Sequence, residues 1–96
     1  MSRRVVFKFR LYVAGDTQNS AQAISNLTAL CRIHLAGRYK VEVVDVFLEP
    51  KRALADGIVM TPTLVKVAPI PSRRIVGTLS QTQPVLQALG LEAVAA

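Results

Sequence analysis

The chain has a single cysteine, which excludes an intrachain disulfide, a Cys-x-x-Cys redox pair and a cysteine-rich zinc site. A single histidine excludes a metal centre built on a pair of imidazoles. Tryptophan is absent, and three Phe and two Tyr make up the aromatic complement, so aliphatic side chains must fill the core. No apolar run approaches the roughly 18 residues that a membrane-crossing helix needs. Ser2-Arg3-Arg4 leads directly into an alternating segment, not into the apolar stretch of a secretory signal, so the expected location is the cytoplasm. The five glycines are isolated, which leaves no phosphate-cradling loop. The carboxylates Asp16, Glu42, Asp45, Glu49, Asp56 and Glu92 form no recognisable metal or acid–base cluster. Twelve Lys and Arg against six acids give a net charge of +6, dispersed along the chain. Without a nucleic-acid-binding motif, that charge suits a solvated surface or a protein-docking patch better than DNA or RNA.

What is present is a globular composition, with 51% apolar and 19% charged residues in a length of 96. That is one domain. Val5 to Val13 alternates with a period of two and reads as a strand: Phe7, Phe9, Leu11 and Val13 face one way, and Lys8, Arg10 and Tyr12 the other. Turn-forming residues follow through Ser20, and Asn19 or Ser20 is positioned to cap a helix. Ala21 to Leu35 carries Ile24, Leu27, Cys31 and Leu35 at helical spacing, with Ala23 and Leu30 widening the stripe and Gly37 beyond its end. Lys40 to Phe47 reads as a second strand with Val41, Val43 and Phe47 on one face and Val44 and Val46 on the other. Apolar residues on both faces predict a strand covered on both sides. The two strands and the helix between them form a right-handed βαβ unit.

The second half is shorter in its elements. Lys51 to Asp56 reads as a short helix with Pro50 in its first turn and Gly57 after it. Thr63 to Ala68 reads as a strand, Pro69 to Ser72 as a turn, and Arg73 to Gly77 as a short edge strand. Ser80 with Gln83 suggests a capping box for a last helix reaching Leu91, with Thr82 as the alternative cap because of Pro84. The resulting order, β-α-β-α-β-β-α, is that of a thioredoxin-like domain.

In that layout the first helix begins where a thiol enzyme carries its nucleophile, and here the place holds Asp16-Thr17-Gln18-Asn19. Dithiol exchange is chemically impossible there. Cys31 lies on the apolar stripe and reads as a buried core residue, and His34 has no companion for catalysis. Asp45, flanked by valines, needs a partner, for which Lys8 or Arg10 is the candidate. Thr61-Pro62 before the third strand admits two readings, a fixed cis turn or a bond that uses both isomers and so permits two folds.

Several segments together resemble the KaiB family of circadian-clock proteins. Leu11 to Ser20 resembles the family's Leu-Tyr-Val-Ala-Gly-Asn-Thr-Pro-Asn-Ser opening. Val44-Asp45-Val46 followed by Pro50 is similar to its second strand and next turn. Thr61-Pro62-Thr63-Leu64-Val65-Lys66-Val67, then Pro69, Pro71, Arg73-Arg74-Ile75-Val76-Gly77 and Leu79-Ser80, is similar to its Thr-Pro-Thr-Leu segment, proline-rich turn and following stretch. The correspondence runs from residue 5 to residue 91 without a gap.

The resemblance implies a non-enzymatic binding protein without a cofactor. Its partners would be a KaiC-type hexameric ATPase, KaiA and a SasA-type sensor kinase. It implies a thioredoxin-like α/β fold in the active form and, for residues 47 to 96, an alternative α/β arrangement in a resting homotetramer. The implied partner-binding residues are Tyr39, Val41, Glu42, Lys66, Arg73 and Arg74, and the implied fold-switch positions are Thr61, Pro62, Thr63, Ala88 and Gly90. The chain departs from the family at Glu42 and Gly57, where cyanobacterial members carry Lys, and at Ala88-Leu89-Gly90, where they carry Gly-Leu-Asp. Ala is a better helix former than Gly by about 1 kcal/mol, so Ala88 predicts that this chain rests nearer the thioredoxin-like form. A thioredoxin-like adaptor acting outside a clock, and a thiol enzyme using Cys31, are the competing functions.

Overall fold

The computed structural model describes residues 5–91. The alternating first segment forms β1 (Phe7–Val13) and is followed by α1 (Gln18–His34), β2 (Tyr39–Asp45), α2 (Pro50–Ala55), β3 (Thr63–Ala68), β4 (Arg73–Val76) and α3 (Thr82–Leu89). The strands form one sheet in the order β2-β1-β3-β4. β1 and β2 run parallel, from Phe7↔Tyr39 to Val13↔Asp45, as the helical crossover requires. β3 is antiparallel to both β1 (Leu11↔Leu64) and β4 (Leu64↔Ile75).

The alternation in β1 sorts its side chains between two cores. Phe7, Phe9, Leu11 and Val13 pack with Leu27, Leu30, Cys31 and Leu35 of α1 and Val85, Leu86 and Leu89 of α3. Tyr12, on the opposite face, packs with Val44, Val65 and Ala53 of α2. The molecule is therefore a thioredoxin-like three-layer fold with α1 and α3 on one face of the sheet and α2 on the other.

Several expectations are corrected. β1 begins at Phe7, and Val5 and Val6 are exposed. The cap of α1 is Thr17, whose Oγ1 accepts the Ser20 N–H, rather than Asn19 or Ser20. Ser20 is buried instead, its Oγ accepting from the Ala14 N–H and the Thr17 hydroxyl, which ties the helix start to the end of β1. Ile24 leaves the buried stripe, and Ala23 takes its place beside Leu27.

The largest difference is in β2. Both faces were expected to be covered, yet Val41 and Val43 are partly open and Phe47 lies beyond the strand, exposed. The cause is position: β2 is an edge strand, so only Val44, beneath α2, is fully enclosed.

Asp45 needs no ion pair. It ends the strand half-exposed, and its Oδ1 accepts the Phe47 N–H. In α3 no capping box forms. Gln81 occupies the cap position without a side-chain bond, and Thr82 is the first helical residue. Pro84 fits because it falls within the first turn, where backbone N–H groups have no intrahelical acceptor. α3 ends at Leu89 rather than Leu91, with Gly90 left-handed at φ 78.

Candidate protein-docking site

At the start of α1, Thr17 caps the helix and no thiol stands near it. Cys31 is fully buried, and desolvation pushes its thiol up to about 11, as expected of a core residue. His34 is exposed in the last turn of α1.

The face carrying α2 is organised by charge. Arg10 on β1 bonds Glu42 on β2 (3.2 Å) and Asp56 just after α2 (3.0 Å). Arg52 on α2 grips Glu42 with both terminal nitrogens, at 2.7 and 2.8 Å, and reaches Glu49 at 3.3 Å. The buried Tyr12 hydroxyl donates to Asp56 Oδ2. The pKa directions follow from these contacts. Arg52, then Arg10, hold Glu42 down to about 2. The Tyr12 hydroxyl, then Arg10, hold Asp56 below the usual carboxylate range. Burial, reinforced by Asp56, pushes Tyr12 up.

Beside this network the surface is apolar. α2 buries only Ala53, and it leaves Leu54 78% exposed. Phe47, Val59 and Met60 are exposed and line one shallow hollow of about 220 Å³ with Ala53. Leu48, next to Phe47, is 80% exposed. Phe47 rests on Gly15: a Cβ there would lie 3.5 Å from the ring, and the backbone at φ 61 disfavours any other residue. Exposed aliphatic and aromatic groups gathered this way make this face the candidate docking surface. By its alternation Phe47 reads as a strand residue, whereas Leu48, Leu54, Val59 and Met60 fall in no periodic pattern. The available signal is two apolar pairs, Phe47-Leu48 and Val59-Met60, each just before a proline segment.

The expected partner-binding residues do not form one cluster. Tyr39 and Val41 lie on the α1 side of β2, where Tyr39 packs against the core, while Glu42 points to the α2 side and is held by the two arginines. Lys66 is buried against Phe7. Arg73 lies opposite it on β4, and Arg74 points the other way, toward Gly57. Of the expected fold-switch positions, Thr61 and Pro62 form a cis peptide and Thr63 opens β3, its hydroxyl donating to the Met60 carbonyl. Ala88 lies within α3 and Gly90 ends it.

Among the described residues no group of three or more His, Cys, Asp or Glu is placed to hold a metal ion, and no helix is long and apolar enough to cross a membrane.

Comparison with solved structures supports the architecture. The N-terminal domain of SasA from Synechococcus elongatus matches with a TM-score of 0.72 at 19% identity, covering 94% of this chain and 89% of that one. A chloroplastic thioredoxin z matches with a TM-score of 0.72 at 21% identity, covering 97% and 98%. At these identities the likeness concerns the fold. Among curated sequences, the circadian clock protein KaiB3 of Synechocystis sp. is 45% identical over 88% of this chain and 81% of its own length. The circadian clock oscillator protein KaiB of Synechococcus elongatus is 44% identical over 95% and 89%. The KaiB domain model matches residues 10–91. The family-model match over residues 10–91, with curated relatives 44–45% identical over 88–95% of the chain, makes this chain a member of the KaiB family of circadian clock proteins.

Proposed function

We propose that this chain is a non-enzymatic docking protein that binds a KaiC-type hexameric ATPase and thereby modulates circadian timing or a related stress response. The observation that carries the reading, beyond family membership, is the exposed apolar hollow lined by Phe47, Val59 and Met60, with Leu48 and Leu54 exposed at the start and on the body of the neighbouring segment 48–55. It supplies desolvation energy for association, and the adjoining arginine–carboxylate network supplies polar groups for its rim. The test is co-elution with the host's KaiC-like protein, with and without ATP. The natural chain is expected to co-elute in one nucleotide state, and the double variant F47S/L54S to lose the complex while keeping its fold. Absence of a complex in every nucleotide state refutes the reading.

The same proposal extends to conformation and assembly. Residues from Phe47 onward are the segment proposed to rearrange, with Thr61, Pro62, Thr63, Ala88 and Gly90 as its control positions and a dimer or tetramer as the alternative state. In support, α2 and β4 are short, and α2 buries only Ala53, so little apolar area holds α2 in place. Light scattering across a temperature series, read beside NMR, tests for a second, larger species.

One observation favours a partner set without KaiA, as in an adaptor acting outside a complete clock. Glu42 is occupied by Arg10 and Arg52 and presents no free side chain beside Val41. Pull-down with KaiA and with a SasA-type kinase domain separates the two cases.

A further inference from the structure

α1 meets the second half of the chain through apolar side chains: Leu27, Leu30 and Cys31 pack with Leu79, Val85 and Leu86. Apolar burial is non-directional, so it does not by itself fix where one element sits on another. Among the described residues a single hydrogen bond joins the two. Asn26 Nδ2, midway along α1 and partly buried, donates to the Thr78 carbonyl at 2.8 Å across 52 positions of sequence. Asn is a poor residue for a helix interior, and its amide here serves the contact and not the helix.

The acceptor belongs to the turn between β4 and α3, and that turn is strained. Leu79, the next residue, has φ 64 and is the one non-glycine residue with positive φ among those described. In that conformation Cβ crowds the following carbonyl oxygen. Leu79 is nevertheless 6% exposed, with its side chain inserted in the α1 core. Strain of this kind persists only where the surroundings over-determine the backbone. Here two bonds do so. The Gly77 N–H donates to the Pro62 carbonyl at 2.9 Å, which fixes the entry to the turn beside the start of β3, and Asn26 fixes Thr78 on α1. Beyond the turn, α3 begins at Thr82, and Gln81 before it makes no capping side-chain bond, so the start of α3 is held through the turn.

We propose that Asn26 is a latch. By holding the Thr78 carbonyl it keeps Leu79 left-handed with its side chain seated, and its release lets the turn and α3 lift from α1 as one unit while β1, α1 and β2 stay folded. Two opposing effects make the turn the place where this happens. Burial of Leu79, Val85 and Leu86 resists the opening, and relaxation of Leu79 to an ordinary negative φ favours it. The directional bond from Asn26 decides between them. The proposal rests on reading the segment from Phe47 onward as the part that rearranges, and it names the contact by which that segment is fastened to α1.

The test is native-state hydrogen exchange of the full chain, alone and at neutral pH, beside Asn26→Ala and Asn26→Asp. Neither replacement can donate to Thr78. Ala raises the helix propensity of α1, so that variant keeps its fold, and Asp keeps the shape of the amide. In both, the amides of Val85 to Leu89 are expected to exchange about fivefold faster relative to those of β1, the factor that loss of one ordinary hydrogen bond gives. The ratio is the deciding quantity, because a contact that merely stabilised the whole domain would move both sets of amides together. An unchanged ratio of α3 to β1 exchange in both variants overturns the proposal, whether the two sets accelerate equally or not at all. Light scattering on the same samples reads any larger species separately. Selective opening of α3 without such a species leaves the latch standing and removes the rearrangement, and a larger species with an unchanged ratio does the reverse.

Discussion

Replacing Asp56 with Ala tests how α2 is fastened to the sheet. The substitution removes the carboxylate that accepts from both Tyr12 and Arg10. The Tyr12 hydroxyl is then left with the Arg52 carbonyl at 3.4 Å, a weak contact for a side chain that is fully buried. A hydrogen bond to a charged group contributes about 1.5–3 kcal/mol, and a stranded buried hydroxyl costs about 1–3 kcal/mol. Arg10 and Asp56 retain side-chain exposures of 28% and 29%, so water recovers part of this. The expected loss is about 2–3 kcal/mol, which for a domain of this length lowers Tm by roughly 8–24 °C. Tyr12→Phe removes only the hydroxyl and should cost about 1 kcal/mol. Because both variants break the same bond, the double variant should fall short of additivity by about 1 kcal/mol. Differential scanning calorimetry and urea titration of the four proteins give the cycle. Additive costs, or a D56A protein melting within about 2 °C of the natural one, would refute the account of Tyr12–Asp56 as a buried clasp.

Three further outcomes follow from the same contacts. Glu42 is depressed from 4.5 to about 2 and Asp56 is also depressed, so their contribution is complete above about pH 4.5 and is lost as pH falls toward about 2; urea midpoints across that range should decline less steeply in E42Q. Cys31, with its thiol raised to about 11, is ionised in roughly one molecule in three thousand at pH 7.5, so a chromogenic disulfide reagent should react only on unfolding, and prompt labelling of the native chain would contradict its burial. Ala88→Gly should cost about 1 kcal/mol and lower Tm by roughly 4–8 °C through α3 alone, leaving the unfolding cooperative.

The elements that the sequence identified well are those where one face is fully buried. β1 alternates because its two faces meet different cores, and α1 repeats at helical spacing because one stripe meets the sheet. Cys31 was legible as core for the same reason. β2 misled because its valines look the same whether a neighbouring strand covers them or not, and strand order is a property of the whole sheet. Asp45 misled because a turn at the strand's end satisfied it locally, while the true ion pairs join Arg10 to residues 32 and 46 positions away. The family's motifs located Lys66, Arg73 and Arg74, but not that Lys66 would be enclosed against an aromatic ring. Leu48, Leu54, Val59 and Met60 follow no period, so only the fold shows Val59 and Met60 meeting Phe47 in one hollow and Leu48 and Leu54 exposed nearby in sequence.

Because α2 is attached by arginine–carboxylate clamps as well as by the burial of Ala53, its detachment is more sensitive to salt than that of the rest of the fold. Added salt weakens such clamps while leaving the α1–α3 core intact. Amide protons of residues 50–55 should therefore exchange with solvent through a local opening that quickens with ionic strength, while those of β1 wait for global unfolding. The cell's electrolyte would then act on one short helix of this molecule as a tuning variable, more strongly than on the α1–α3 core.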